Sequence, residues 1–403
     1  MKILITTDVY EPTVNGVVTS IINLKKELAL RGHEVKVLTL SDKGCSYEQR
    51  DVFYMQSLSM GRIYPGARAA VFCDHEYIQR LEEWKPDVIH SQSEFTTYFY
   101  AKKIARKTNA PLIHTYHTVY EDYTHYFSPS ETLGRHTVAL LSRKLLKAAD
   151  MVVAPTEKVK RLLEGYRVKN DICILPTGID LKPFWEAAKE KKAFGRRICD
   201  APILVTVGRV AKEKNLEKIL QFLNTERGQR YHWLVVGDGP DRQHLEGLVK
   251  EWGMSGRITF TGMVPLNEVA KYYQMGDVFV SASRSETQGL TYVEALASGL
   301  PVVAWKDACL ENVVENGFNG WQYETEDEFF QALEKLLPVG HRVHGWQYEM
   351  CSVNAKNSVW RFSEEAFGIG AEKLYRCLTE KRETTRHLEK EIHFWKRLRI
   401  SRI

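Results

Sequence analysis

The sequence predicts an α/β protein with two domains, each built on a parallel sheet. A chain of 403 residues is long enough for two domains. A β-branched strand at 2–7, a helix at 17–30 and a strand at 34–40 form a strand–helix–strand unit, which is right-handed on a parallel sheet. A second such unit is predicted from the strands at 202–208 and 233–237 and the helix between them.

The composition and the cysteines indicate an intracellular globular protein. Hydrophobic residues make up 44% and charged residues 27% of the chain, as in ordinary globular domains. The chain starts directly with a strand, so no signal peptide is expected, and no uncharged apolar run approaches the roughly 20 residues that span a bilayer. The seven cysteines include no C-x-x-C pair and no metal-ligand spacing, which predicts reduced thiols and a cytoplasmic location.

Two features of the first half could contact a ligand or a surface. The loop before the first helix, PTVNGVVTS, contains Gly16. A helix predicted at 97–107 places four basic side chains on one face. They are Lys102, Lys103, Arg106 and Lys107. This face is either solvated or in contact with a membrane, and the pattern leaves both possibilities open.

A strand that begins at Leu112 carries two histidines to its C-terminal end, in the phrase LIHTYHTVYEDYTHY. Open parallel sheets bind ligands at this end of their strands. Because successive side chains of a strand point to opposite faces, His114 and His117 are predicted to lie on different sides, with His114 towards the core. A single histidine is more often structural than functional, so the role of His117 depends on its context.

Two cations follow the first strand of the second half. Arg209 and Lys214 come directly after residues 202–208, in the phrase GRVAKEKN. Cations at the C-terminal end of a parallel strand could stabilise the charge of a diphosphate. The alternative is a pair of solvated surface residues.

The stretch at 281–304, SASRSETQGLTYVEALASGLPVVA, predicts a strand end, a polar loop, a helix at 290–298 and a second buried strand. Gly289 allows the backbone to approach a ligand without a Cβ in the way. The N–H groups of Gly289, Leu290 and Thr291 would then form an anion site at the helix start.

Two glutamates lie in this same stretch. Glu286 is in the loop, and Glu294 follows eight residues later on the helix. A carboxylate beside a diphosphate would be repelled, so both are expected to contact neutral groups rich in hydroxyls, such as a sugar. The alternative is a surface loop with two solvated glutamates.

This stretch resembles the E-x7-E motif of the retaining glycosyltransferases with the GT-B fold, and the resemblance covers nearly all of residues 1–335. It implies two facing Rossmann-like domains with parallel sheets, and C-terminal helices that cross back to the first domain. The expected limits are 1–177 for an acceptor domain, 178–358 for a nucleotide-sugar domain and 359–403 for the crossing helices and a basic tail.

The resemblance also implies roles for individual residues. Glu286 would hold the donor sugar, Glu294 the ribose, and Met263 would belong to a backbone cradle for the nucleobase. Arg209 and Lys214 match the pair that neutralises the departing diphosphate, and the loop at Gly16 resembles one that meets the same group.

The phrase HTYHTVYEDY resembles the bacterial diacylglycerol glucosyltransferases. In that family the residue matching His117 is an active-site histidine that reaches towards the donor diphosphate and sugar. The resemblance implies transfer of glucose from UDP-glucose to diacylglycerol with retention at the anomeric carbon. No metal or other cofactor is expected, because the cations and helix N-termini would make a metal unnecessary and no Asp-x-Asp metal motif is present.

Other functions remain open at this stage. The sequence does not distinguish glucose from another hexose, and the acceptor could be a preformed glycolipid, a soluble sugar or a protein. A basic module that only binds nucleic acid or membrane is a different class. The coexistence of Arg209, Lys214, Glu286 and Glu294 argues against it, because binding a phosphate backbone needs no such set.

The C-terminal tail is basic and amphipathic. Residues 381–403 contain eight basic and three acidic residues, and a helical stripe of apolar side chains runs through them. The stripe is Leu388, Ile392, Trp395 and Leu398. A basic amphipathic helix with a tryptophan predicts binding to an anionic membrane surface, here the inner face of the cell membrane. The alternative is a helix that packs on the first domain.

Overall fold

The computed structural model describes residues 1–13, 15–60, 68–70, 75–119, 121, 131–194, 201–338 and 345–400. The chain forms two compact units. The first contains Met1–Thr118, Ser128–Gly178 and Glu364–Ile403, and the second is built on Ile179–Ser363. Each unit is a Rossmann-like domain with a parallel sheet, so the predicted α/β class is confirmed.

The first unit is organised around one large sheet. Its strands are β1 (Lys2–Thr6), β2 (Glu34–Ser41), β3 (Tyr47–Gln49), β4 (Val52–Gln56), β7 (Val88–Ser91), β8 (Leu112–Thr115), β9 (Met151–Ala154) and β10 (Ile172–Ile174), and β5 (Leu58–Ser59) pairs with β6 (Arg68–Ala69) outside it. The order in the described residues is β10-β9-β8-β7-β1-β2-β4-β3. All neighbours are parallel except β3 and β4 at one edge.

Helices cover both faces of this sheet. They are α1 (Gly16–Leu30), α2 (His75–Trp84), α3 (Thr96–Thr108), α4 (Glu131–Leu146) and α5 (Glu157–Gly165). In β1, Ile3 and Ile5 pack on one side with α1, while Leu4 packs on the other side with α2 and α3. Strands buried on both faces need continuous apolar runs, which explains why polar and apolar residues hardly alternate along β1.

The second unit repeats the plan. Its helices are α6 (Lys182–Phe194), α7 (Leu216–Leu223), α8 (Arg242–Glu251), α9 (Val269–Met275), α10 (Leu290–Ala297), α11 (Glu326–Leu336) and α12 (Trp346–Ser358). Its strands are β11 (Ile203–Val207), β12 (His232–Val236), β13 (Ile258–Phe260), β14 (Val278–Ser281), β15 (Val302–Trp305) and β16 (Gly320–Tyr323). They pair in parallel in the order β13-β12-β11-β14-β15-β16 across the described residues.

Glycines let two loops touch at the carboxyl edge of this second sheet. Gly237 has a φ of +133°, and a Cβ there would lie 2.0 Å from the carbonyl oxygen of Gly208. Any side chain would therefore push β11 and β12 apart where their loops begin. This close approach brings the loop after β11, with its cations, beside the loop after β12.

The last helix, α13 (Glu364–Ile400), belongs to the first unit. Phe367, Ala371, Tyr375 and Leu378 recur every three or four residues and are buried in that unit's core. The C-terminal helix therefore returns to the first domain, as predicted. The side chains of the tail stripe, from Leu388 onward, lie outside the described residues, so membrane contact by the tail stays a prediction.

No helix in the described part of the chain combines the length and the apolar character that a membrane span requires.

Candidate active site

A lysine and a glutamate from two separate loops meet at the carboxyl edge of the second sheet. Lys214 ends a short 3-10 turn after β11, and its Nζ donates to Glu286 Oε1 at 2.5 Å. The loops are also tied by Asn215 Nδ2, which donates to the carbonyl of Ala282 at 3.3 Å. An ammonium can stabilise an anionic leaving group, and a carboxylate beside it can accept a hydrogen bond from a sugar hydroxyl.

The 3-10 turn shifts the start of the following helix. Asn215 lies in the left-handed region at a φ of +52°, so α7 starts at Leu216 after a sharp change of direction. Asparagine tolerates this conformation better than most residues. The 3-10 turn ends at Lys214, whose side chain reaches the Glu286 loop.

The second predicted cation, Arg209, has a different environment. Its guanidinium donates to the Glu213 carboxylate, and about half of its side-chain surface is exposed. Ser285 Oγ in turn donates to the carbonyl of Glu213 at 3.1 Å. Glu213 was not predicted as a site residue, although it orients one cation and links it to the loop that carries Glu286.

The start of α10 has the backbone that an anion site needs. Gly289 precedes the helix at a φ of +72°, and a Cβ there would lie 2.4 Å from the ring of Tyr292. Among the described residues, no side chain caps this helix start, so its first N–H groups, including those of Leu290 and Thr291, lie where a helix best accepts an anion.

Glu294 faces a buried tyrosine. The hydroxyl of Tyr273, on α9, donates to Glu294 Oε2 at 2.7 Å. Burial raises the pKa of Glu294, and this hydrogen bond acts in the opposite direction. One carboxylate oxygen is thus fixed by the protein, which orients the group on the first turns of α10.

Met263 follows β13 and is strongly exposed, with 77% of its surface accessible. The loop before it is held to the neighbouring loop, because the Gly237 N–H donates to the Gly262 carbonyl at 3.1 Å. Asp238 follows Gly237 in this neighbouring loop. Its carboxyl accepts from the Gly239 N–H at 2.8 Å and from Arg242 at 2.9 Å, and both bonds lower its pKa.

In the first unit, His117 meets a glutamine from the next strand. Gln92 directly follows β7, His117 lies two residues beyond β8, and His117 Nε2 is 2.6 Å from Gln92 Oε1. Burial lowers the pKa of His117 to about 4. Glu94 opposes this shift and His114 adds to it. The imidazole is therefore neutral near pH 7 and carries one proton on one of its two nitrogens.

The other histidines of this edge are structural. His114 is fully buried, as the alternation predicted, and its ring contacts Tyr98 edge to face at 5.0 Å. His90 is bonded to Tyr375 at 2.6 Å and to Thr115 at 2.7 Å. The network therefore connects the final helix to the strand ends beside His117.

Gly16 is the first residue of α1 and is exposed. The side chain of Asn15 caps this helix by accepting from the Val18 N–H at 2.9 Å. Such caps contribute about 1 kcal/mol. The absence of a side chain at Gly16 leaves the backbone of the first turn accessible, which is compatible with the predicted diphosphate contact.

Family models match both units of the chain. Residues 14–183 match Glycosyltransferase Family 4, and residues 188–355 match Glycosyl transferases group 1. Among curated relatives, the alpha-monoglucosyldiacylglycerol synthase of Streptococcus pneumoniae is 34% identical over 91% of this chain and 86% of its own. The enzyme of the same name from Acholeplasma laidlawii is 33% identical over 94% of this chain and 98% of its own. This chain belongs to the GT-B glycosyltransferases.

Solved structures share the fold of this glycosyltransferase. Sucrose-phosphate synthase from Thermosynechococcus elongatus aligns with a TM-score of 0.73 at 22% identity, covering 94% of this chain and 99% of its own. Anabaena HepE in complex with UDP-glucose aligns with a TM-score of 0.68 at 16% identity, covering 93% and 99%. At these identities the likeness concerns the fold alone.

The predicted basic face of the glycosyltransferase also carries exposed aromatic rings. Lys103, Arg106 and Lys107 are exposed on α3, whereas Lys102 is partly buried over the rings of Tyr98 and Phe99 at 5.1 and 5.9 Å. Phe95 and Phe99 are 66% and 60% exposed on the same helix. The sequence could have predicted that these phenylalanines share the basic face, because Phe95, Phe99 and Lys103 follow one another at helical spacing.

The lysines of this face differ in their neighbours. Lys107 Nζ lies 3.6 Å from Glu82 on α2. Lys103 and Lys107 also line a cavity of about 600 Å³ between α2 and α3, together with Glu82 and Glu83. Part of the basic charge is therefore compensated locally at Lys107, while Lys103 and Arg106 are exposed on the same helix.

Proposed function

We propose that this glycosyltransferase moves glucose from UDP-glucose to diacylglycerol, with retention at the anomeric carbon, at the cytoplasmic face of the membrane. The observation that carries the proposal is the Lys214–Glu286 pair beside the uncapped start of α10. Two relatives that align along nearly the whole chain are named alpha-monoglucosyldiacylglycerol synthases, which supports glucose and diacylglycerol. The complex of HepE with UDP-glucose supports this donor on the same fold.

The proposed roles follow from the chemistry of each group. Lys214 and Arg209, with the first N–H groups of α10, stabilise the negative charge that develops on UDP as its bond to the sugar breaks. Glu286 accepts hydrogen bonds from sugar hydroxyls, and its charge is balanced by Lys214. Glu294 accepts from the ribose hydroxyls. Because these groups already neutralise the diphosphate, the proposed reaction includes no metal or other cofactor.

Retention requires that the acceptor oxygen reach the anomeric carbon on the face that UDP leaves. In such a front-face displacement the bond to the diphosphate oxygen breaks first, within an ion pair, and the bond to the acceptor oxygen then forms. The departing diphosphate takes the proton of the acceptor hydroxyl. From the family resemblance we also propose a role for His117 in this reaction, because a neutral imidazole can exchange hydrogen bonds with a sugar hydroxyl.

A matrix of donors and acceptors tests the function. UDP-glucose, UDP-galactose and UDP-N-acetylglucosamine would each be combined with diacylglycerol, monoglucosyldiacylglycerol and a soluble sugar. We expect a single main product, α-glucosyldiacylglycerol, identified by mass and by the anomeric coupling constant in NMR. A product formed only from the glycolipid would establish the main alternative, extension of a preformed glycolipid, and a β-linked product would exclude retention.

Replacing Glu294 separates nucleotide binding from sugar transfer. Glu294→Ala removes an acceptor for the ribose, and a hydrogen bond to a charged group is worth about 1.5–3 kcal/mol, so UDP affinity should fall by about tenfold or more. Isothermal titration with UDP measures this directly. Glu286→Ala is the matched control and should retain UDP affinity while losing transfer. Equal UDP affinity in wild type and Glu294→Ala would contradict the ribose assignment.

The membrane face of α3 can be tested by charge reversal. Each basic residue near an anionic surface contributes about 1 kcal/mol, so Lys103→Glu with Arg106→Glu should weaken binding to phosphatidylglycerol vesicles by about tenfold or more. Phe95→Ser with Phe99→Ser should also weaken vesicle binding. This loss should not depend on the salt concentration, because salt does not screen the insertion of apolar side chains. Vesicle sedimentation measures both.

The control and the tail variant complete this experiment. Lys250→Glu, exposed on α8 of the second unit, should leave vesicle binding unchanged. A truncation that removes residues 386–403 deletes six basic and two acidic residues and should lower binding further. It keeps Arg382, whose guanidinium bonds Asp150 at 2.9 Å within the first unit. If neither the α3 variants nor the truncation alters sedimentation, membrane binding does not use these surfaces.

A further inference from the structure

Among the described residues, Gln92 has its side chain within hydrogen-bonding distance of His117. Gln92 follows β7, whereas His117 lies just beyond β8. Its backbone is fixed, because the Gln92 N–H donates to the Thr6 carbonyl of β1 at 2.8 Å. The residue is only 2% exposed, and its Oε1 lies 2.6 Å from His117 Nε2. β7 and β8 pair with Ser91 opposite His114, so the register continues with Gln92 opposite Thr115, on the same face as His117 two residues later.

We propose that Gln92 is the positioning residue of His117. Its carboxamide oxygen accepts the Nε2 proton, selects one tautomer of the neutral imidazole and leaves Nδ1 as a hydrogen-bond acceptor for a hydroxyl of the donor sugar. This inference rests on the proposed function for the identity of that hydroxyl, but the tautomer itself is a property of the protein alone.

The surroundings of His117 explain why a neutral carboxamide is needed. Glu94 is the carboxylate that raises the pKa of His117, whereas burial and His114 lower it. The Glu94 carboxylate lies 3.5 Å from His114 Nε2, so this negative charge also faces His114. A second carboxylate in direct contact with His117 would favour imidazolium, which has no acceptor nitrogen. Glutamine holds the ring in place without adding that charge.

The choice of tautomer has a chemical consequence. With Nε2–H directed to Gln92, the other ring nitrogen, Nδ1, has a lone pair. It can accept from a neutral hydroxyl, but it offers no proton to an anionic phosphate oxygen. His117 is therefore assigned to sugar recognition and not to a contact with the diphosphate. The opposite tautomer would make His117 a donor towards the phosphates.

Nitrogen-15 NMR of histidine-labelled protein tests the tautomer without any substrate. The chain has 13 histidines, so His117 is assigned by the signals that disappear in His117→Gln. We expect its Nε2 to be protonated and its Nδ1 to be unprotonated in the wild type. In Gln92→Met the preference should weaken towards a mixture. A wild-type Nδ1–H tautomer would overturn the proposal, whatever reaction the enzyme catalyses.

The NMR experiment is the first arm of the test, and kinetic measurements are the second. Gln92→Met should lower kcat by about tenfold with little change in UDP affinity, and Gln79→Met, exposed on α2, is the control. Gln92→Glu should raise the pKa of His117 by about 1–3 units, so that kcat falls as the pH decreases between about 7 and 5. Wild type should lack this decrease. An unchanged kcat and pH profile in both Gln92 variants would make Gln92 merely structural.

The two arms also separate failure of this inference from failure of the proposed function. If the enzyme transfers a different sugar or uses a different acceptor, the kinetic arm is repeated with that substrate pair, and the NMR result stands as measured. If glucose transfer is confirmed but the tautomer is the opposite one, only the role of Gln92 is rejected.

Discussion

Lys214→Ala is expected to lower turnover by about 10²–10³-fold, because it removes a preorganised cation from the place where charge develops on the leaving group. The loss should be larger than for an ordinary surface lysine, since the variant also leaves Glu286 without the ammonium that now lies 2.5 Å from it. Steady-state kinetics with UDP-glucose and diacylglycerol in mixed micelles measure kcat, and titration with UDP measures the loss of ground-state binding.

Lys212→Ala is the matched control for this variant. Lys212 belongs to the same 3-10 turn and is exposed, so its removal should change kcat by less than about twofold. The double variant Lys214→Ala with Glu286→Gln should lose much less than the product of the two single losses, because the partners act as a unit. A Lys214→Ala enzyme with near-normal kcat would show that the pair is only a salt bridge.

His117→Ala should lower turnover by about a hundredfold, in line with the loss of one well-placed polar group at a reacting centre. UDP affinity should change little, since the imidazole is assigned to the sugar and not to the nucleotide. The pKa of His117 is lowered to about 4, so the ring stays neutral from physiological pH down to about pH 5. The His117-linked decrease in wild-type kcat should therefore appear only at more acidic pH.

His136 is the control for the loss of a histidine. It is exposed on α4 of the same unit, and His136→Ala should retain turnover. Thermal unfolding of both variants checks that neither loses the fold. Turnover of His117→Ala close to that of wild type would return His117 to a structural role and would also remove the kinetic basis for the role of Gln92.

The fold could be predicted almost entirely from local patterns. Apolar strand segments alternate with helices along both halves, and such alternation permits few arrangements other than parallel sheets covered by helices. The start of the helix after Gly289 was also predicted correctly, since the helix expected at 290–298 spans Leu290–Ala297. The helix bounds were close as well, because the helix predicted at 97–107 spans Thr96–Thr108.

The candidate site could be predicted only in part. Arg209, Lys214, Glu286 and Glu294 were identifiable because each follows a strand or begins a helix in a motif with a chemical reason for its spacing. Their partners were not. Glu213 lies inside the phrase that carries Arg209 and Lys214, whereas Tyr273 and Gln92 lie in segments with no motif. Each of the three matters only through the side chain that it contacts.

The sequence by itself determined the class of fold, the order of the elements and the chemical types at the sheet edges, because these depend on residues close together in the chain. Only the tertiary structure decided which of those groups meet. Lys214 and Glu286 are separated by 72 residues and Gln92 and His117 by 25. Such pairs form because β7 lies beside β8, and because a left-handed residue after the 3-10 turn at Lys212–Lys214 redirects the chain. Strand order and loop shape are properties of the whole packed domain, which local spacing does not encode.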